Sequence, residues 1–180
     1  LPYSVASPIL VELADARHGP DLMVATLQWE VVQRLASAAD EETYGVLTLL
    51  VGLAYTLKTR FRIPASCFFP EPEVDSACVT LMRRSPPLLL PPEETVFRRL
   101  VKRGFSQRRK QLAKLLRTDW PPAFLANAWS RLQLAPEARA ESLPLDVWVE
   151  LARSLSRQRA IPSAPPLSPG DRCSSPERTP

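Results

Sequence analysis

The sequence predicts an α/β unit followed by a small all-helical one. Three observations carry this. Strand-like apolar runs alternate with amphipathic helical stretches as far as residue 84. A proline-rich octapeptide, Ser85 to Pro92, then interrupts every period, and beyond it only helical spacing recurs. The order in the first part is strand, helix, helix, strand, loop, strand, which is the back half of an α/β sheet finished by an antiparallel hairpin.

In the first part, Ser7 is expected to cap a helix whose first residue is Pro8, a position where a missing N–H costs nothing. Ile9, Leu10 and Leu13 give it an apolar side, and His18-Gly19-Pro20 ends it, with His18 a surface turn residue. Leu22 to Leu27 is apolar except at Thr26, the pattern of a strand buried on both faces as in a parallel sheet. Trp29 to Ala36 is helical, with Val31, Val32 and Leu35 on one side and Glu30, Gln33 and Arg34 on the other. Asp40-Glu41-Glu42 forms a solvated turn leading to a cap at Thr43, after which Leu47, Leu50, Val51 and Ala54 keep helical spacing. Leu57 to Ile63 alternates, with Leu57, Thr59, Phe61 and Ile63 on one face and Lys58, Arg60 and Arg62 on the other. Ser76 to Met82 is the returning strand.

Past the linker at 85–92, Glu93 and Glu94 sit where a first helical turn favours acid, and Val96, Phe97, Leu100 and Val101 form the apolar side. Ser106 opens a second helix with Leu112, Leu115 and Leu116 facing inward. Pro121-Pro122 starts a third, and Leu143 to Leu155 forms a fourth. The expected division is 1–84, linker 85–92, helical unit 93–156, and a disordered Pro/Ser/Arg tail over 157–180.

Hydrophobic residues make up 45% of the 180, enough for a core. Cys67, Cys78 and Cys173 show no C-x-x-C spacing and His18 is the single histidine, so neither a zinc site nor a disulfide framework is expected. Idle thiols fit a reducing cytoplasm. The run from Val46 to Tyr55 is too short to span a bilayer. The chain does not open on methionine and starts within an apparent loop, so it reads as a fragment.

Two features point to nucleic acid. Pro64, Pro70 and Pro72 stiffen the stretch from Ile63 to Ala77 and hold Phe68 or Phe69 in a fixed direction. Leu1-Pro2-Tyr3-Ser4 is a second stiff loop carrying a ring, and two such rings can grip a planar base. Residues 98 to 117 hold nine basic side chains (Arg98, Arg99, Lys102, Arg103, Arg108, Arg109, Lys110, Lys114, Arg117) and no acidic one. Ordinary surface helices mix signs, so a cluster of this kind suits a polyanion. Lys58, Arg60 and Arg62 could extend it.

These motifs together resemble the ribosomal RNA adenine dimethyltransferases of the KsgA/RsmA type. Leu1-Pro2-Tyr3 looks like the end of the family's Asn-Leu-Pro-Tyr motif. Gln28 with Glu30-Val31-Val32-x-Arg34-Leu35 is similar to Gln-x-Glu-Val-x-x-Arg-Leu, and Tyr44-Gly45-x-Leu47 to the next helix start. Phe68-x-Pro70-x-Pro72-x-Val74-Asp75-Ser76-Ala77 resembles the family's most distinctive loop. Phe105-x-Gln107-Arg108-Arg109-Lys110 and Arg139-Ala140-Glu141-x-Leu143 also fit. The resemblance spans about residues 1 to 156 in order. Three departures stand out: the Asn before Leu1 is not in the chain, Gly52 stands where a glutamine is expected, and Phe69 where a smaller residue is common.

The resemblance implies a Rossmann-like S-adenosylmethionine-dependent methyltransferase sheet, of which this chain would supply the C-terminal half, followed by an RNA-binding helical domain. It implies that the Leu1 carbonyl accepts a hydrogen bond from the adenine N6 amine, that Pro2 aims this carbonyl, and that Tyr3 and Phe68 stack on the base. Arg98, Arg99, Lys102, Arg103, Arg108, Arg109, Lys110 and Lys114 would contact RNA. The Gly-rich loop and acidic residues that hold S-adenosylmethionine are expected upstream of Leu1, so this chain alone is expected to be inactive. The implied substrate is two adjacent adenines in a small-subunit ribosomal RNA hairpin, the partner the assembling small subunit, and the state a monomer. The alternatives are a noncatalytic ribosome-assembly factor, separable by the absence of an upstream Gly-x-Gly loop, and a large-subunit RNA methyltransferase of the antibiotic-resistance type.

Overall fold

The computed structural model describes residues 5–15, 19–107 and 109–159, with side chains described as far as 157. Helix α1 (Ala6–Asp15) is followed by strand β1 (Leu22–Gln28), helices α2 (Trp29–Ala36) and α3 (Val46–Ala54), and strands β2 (Tyr55–Ile63) and β3 (Ser76–Arg83). Four helices complete the order: α4 (Pro91–Gly104), α5 (Leu112–Leu116), α6 (Pro122–Arg131) and α7 (Leu145–Arg159).

The sheet has the order β1-β3-β2. β3 pairs antiparallel with both neighbours, so β1 and β2 run parallel to each other on either side of it. Gln28, Ser76 and Ile63 share one end, where β1 and β2 finish and the 64–75 loop begins. α1 and α3 run the same way. Val11 shares a cleft with Val46 and Leu47 at the start of α3, whereas Ala14 and Asp15 share another with Leu53 and Ala54 at its end. Because α3 passes directly into the first residue of β2, α1 must begin toward the end of the sheet that carries the 64–75 loop.

Several expectations need correction. β1 is buried on one face only. Met23 and Leu27 are covered, but Leu22 and Val24 are exposed, and both described pairings are antiparallel. Nothing within this chain covers the face that carries Leu22 and Val24 among the described residues. The alternation in β2 is split by a β-bulge between Leu57 and Thr59. Leu57 pairs with buried Leu81, but beyond Lys58 the phase reverses. Arg60 and Arg62 then register with buried Val79 and Ala77, while Thr59 and Phe61 register with Thr80 and Cys78 on the open face. Phe61 is consequently 59% exposed.

Helix α1 begins at Ala6, so Ser7 lies inside its first turn instead of capping it. α3 is capped at Gly45, not Thr43. The Gly45 N–H donates to Thr48 Oγ1 at 3.2 Å, and Thr43 Oγ1 instead meets Ser37 Oγ. Ser106 does not open a helix. Its N–H and hydroxyl both turn back to the Arg103 carbonyl, at 3.2 and 2.7 Å, and α5 starts only after Gln111.

Two apolar clusters form the interior. One lies between the covered face of the sheet, α1 and α2, with Leu10, Leu27, Val32, Val79 and Leu81 at its centre. The other gathers α4–α7 around Phe97, Leu100, Trp148 and Leu151. α3 serves both: Val51 belongs to the first, and Leu49, Leu50 and Leu53 to the second. Leu89 of the proline-rich 85–92 stretch is buried in the second cluster, and the Leu88 carbonyl accepts a 2.5 Å bond from Arg153. α7 runs two residues past Arg157, where the apolar pattern stops. The rest of the expected tail, from residue 160, lies outside the described residues.

Candidate nucleic-acid interface

The 64–75 loop stands at the end of the sheet where β1 and β2 finish. Prolines keep it out of helix and ladder, and one turn of 3-10 helix, Ala65–Cys67, starts it. Asp75 fastens it. One carboxylate oxygen accepts the Ala65 N–H at 2.9 Å and the other accepts Arg62 Nε at 2.6 Å, while the Asp75 carbonyl accepts the Trp29 N–H at 2.9 Å. The end of β2, the loop's first turn and the start of α2 are thus tied to one residue. The Ala65 N–H, followed by the Arg62 guanidinium, holds the Asp75 carboxyl below the usual carboxylate range. Arg62 also lies over the Trp29 ring at 5.4 Å. Between these anchors Phe68 is 36% exposed and Phe69 fully so. Leu1, Pro2 and Tyr3 lie outside the described residues, as does His18.

The basic cluster divides into bound and free members. Arg98 pairs with Asp15 of α1 at 2.7 Å. Arg99 and Arg103 both grip Asp119 at the end of the α5 turn, Arg103 Nε at 2.7 Å, and Arg99 also lies over the Trp120 ring at 5.3 Å. Asp119 is only 10% exposed, and the hydrogen bond from Arg103, then that from Arg99, lowers its pKa. Lys102, Arg109, Lys110 and Lys114 are exposed, with no ion pair among the described residues. Arg108 lies outside the described residues. Arg62 is committed to Asp75, so it does not join the free group.

Sequence spacing did not single out Asp75, Asp119 or Trp29. Asp75 could have been found as the one acid of the loop that immediately precedes β3, close to Arg62 across the hairpin. Asp119 lies beyond the basic window, so counting charges inside that window overlooks it. Among the described residues no group of His, Cys, Asp and Glu side chains could hold a metal ion, and no helix is long and apolar enough to cross a membrane.

The family model for ribosomal RNA adenine dimethylase matches residues 1–157. The chain belongs to the ribosomal RNA adenine dimethylase family. Within it, the chain is 34% identical over 163 residues to a ribosomal RNA small subunit methyltransferase A from Latilactobacillus sakei, a match covering 88% of this chain and 55% of the relative. A protein of the same name from Opitutus terrae is 37% identical over 154 residues, covering 82% of this chain and 53% of the relative. The chain therefore spans little more than half the length of these dimethylase relatives. Among solved structures, a dimethyladenosine transferase from Plasmodium falciparum shares the fold with a TM-score of 0.76 at 21% identity, covering 88% of this chain and 66% of that one. The 23S rRNA methyltransferase ErmE does so with a TM-score of 0.64 at 21% identity, covering 86% and 62%.

Proposed function

We propose that this chain is the substrate-facing part of an S-adenosylmethionine-dependent methyltransferase that dimethylates N6 of two adjacent adenines in a small-subunit ribosomal RNA hairpin during ribosome assembly. Family membership over residues 1–157 is the observation that carries this. The latched loop with its exposed ring, at the end of the sheet where β1 and β2 finish, supports it. The β1-β3-β2 sheet is then the end of a larger Rossmann-like sheet. The exposed apolar side chains Leu22, Val24, Phe61 and Met82, together with the outer edge of β1, receive its remainder. α4–α7 form the helical RNA-binding domain of a monomeric, cytoplasmic enzyme.

The adenine N6 lone pair is delocalised into the ring, so the amine is a poor nucleophile. The Leu1 carbonyl accepts one N6 hydrogen and favours a more pyramidal nitrogen, and Pro2 fixes the direction of that carbonyl. Tyr3 and Phe68 hold the two faces of the base. Stacking of about 1–3 kcal/mol per base roughly offsets the few kcal/mol needed to unstack it. The methylated nitrogen would lose its proton to water, so rate comes from position and no acid–base residue is required.

S-adenosylmethionine supplies the methyl group. The described residues do not form a place for it. No Gly-x-Gly turn opens a helix after a strand, and at Gly45, at the start of α3, an added Cβ would meet nothing nearer than Phe105 at 3.9 Å. Cofactor binding is assigned to the part of the relatives' length that this chain does not span.

The test is methyl transfer to small-subunit RNA by the complete gene product. Phe68→Ala and Asp75→Ala should each depress turnover while leaving cofactor affinity nearly intact. Normal turnover in both would refute the role of the loop.

A further inference from the structure

We propose that Phe105 is a positioning residue that sets the turn carrying Arg109 and Lys110 against the methyltransferase half. The inference rests on the RNA-contact role proposed above for that turn. The turn holds Arg109 and Lys110 in the open, and among the described residues the Ser106 N–H returns to the Arg103 carbonyl and the Lys110 N–H to the Gln107 carbonyl at 3.1 Å. Phe105, at its root, is well fixed. Its ring stacks on the wholly buried Trp148 of α7, with centroids 6.0 Å apart at 28°, and meets the edge of Tyr44 at 6.2 Å and 61°.

Tyr44 in turn is anchored by burial and a hydrogen bond. It is buried just before α3, and its hydroxyl donates to the Leu143 carbonyl at 2.7 Å. Burial, then the nearby Asp146 carboxylate, raises the pKa of that hydroxyl, so it remains a donor. The Phe105 side chain thereby connects the turn to α3, the helix whose start shares a cleft with Glu30 and Arg34 of α2. Gly104 permits the close seating. An added Cβ there would stand 2.7 Å from the Trp148 ring and 2.9 Å from Leu112. The Phe105 ring is engaged by Trp148 and Tyr44 and only partly exposed, so its effect on RNA passes through the cations it orients.

That separation supplies the test. A short labelled RNA hairpin with two adjacent adenines in its loop is titrated with this chain at several salt concentrations, with circular dichroism confirming the fold. Phe105→Leu should weaken binding about tenfold and shallow the dependence of log K on log salt by about 1.4, the share of two phosphate contacts, although no charge has been removed. Phe105→Tyr should restore both. Adding Arg109→Ala and Lys110→Ala to Phe105→Leu should cost little more. Phe105→Met replaces the leucine variant if that one fails to fold. Unchanged affinity and slope in a folded Phe105→Leu protein, or full additivity with the two alanines, would overturn the inference alone. No effect of the two alanines in the parent chain would overturn the RNA-contact role and this inference with it.

Discussion

Replacing Lys102, Arg109, Lys110 and Lys114 together with glutamine removes four exposed cations of the cluster that have no ion pair among the described residues. If each meets one phosphate of an unpaired strand, the slope of log K against log salt should fall by about 2.8. Between about 50 and 200 mM salt, the parent chain would then lose about fifty times more RNA affinity than the variant. Surface substitutions of this kind change stability by about 0.5 kcal/mol or less, so the melting temperature should hardly move. The pair Arg99→Gln and Arg103→Gln should behave in the opposite way. It strips Asp119, only 10% exposed, of its partners. Two charge-assisted bonds are lost, discounted because both arginines are partly solvated, which leaves a destabilisation of about 1–2 kcal/mol. For a chain of this size that lowers the melting temperature by about 2–8 °C. Fluorescence anisotropy across salt and thermal denaturation measure the two effects. An unchanged slope in the quadruple variant, or a larger slope change in the arginine pair, would refute the division into free and structural cations.

Two further outcomes follow from the packing. Deleting Lys58 should leave the fold intact and the melting temperature within a few degrees, because the bulge absorbs the deletion and every later β2 residue keeps its face. Deleting Thr80 from the unbulged β3 should abolish cooperative unfolding, and equal tolerance of both deletions would contradict the register. The lowered pKa of Asp119 means that its stabilisation is fully present above the unfolded carboxylate value near about 4 and is lost as pH falls through the folded value. Denaturant midpoints measured from neutral pH downward should show a steeper acid decline in the parent chain than in Asp119→Asn, and identical profiles would contradict the pairing.

Strong local periodicity was legible in the sequence. α2 occupies Trp29–Ala36 as its apolar spacing predicts, and the expected inner side of α4, from Val96 to Val101, is buried. Features made by contacts distant in sequence were not legible. A bulge adds a residue without altering composition, so the alternation from Leu57 to Ile63 looked unbroken although the structure splits it at Lys58. The polar run after Ser106 offered no apolar spacing to contradict a helix start, and only the return of Ser106 to Arg103 shows that the chain turns there. Of the proposed site, the exposed ring of Phe68 and the open cations were visible as residue types. The clasp by Asp75 depends on Arg62 and Ala65 being folded back onto it, which spacing alone does not reveal.

The double membership of α3 bears on how such proteins could be recombined. Splicing two dimethylases at the proline-rich stretch would give a chimera whose α3 came from one parent while Phe97, Leu100 and Leu151, its neighbours in the second cluster, came from the other. Leu49, Leu50 and Leu53 would then face unfamiliar partners. Exchanging α4–α7 between family members would therefore require carrying α3 in the transplant, or redesigning those three leucines to suit the new host.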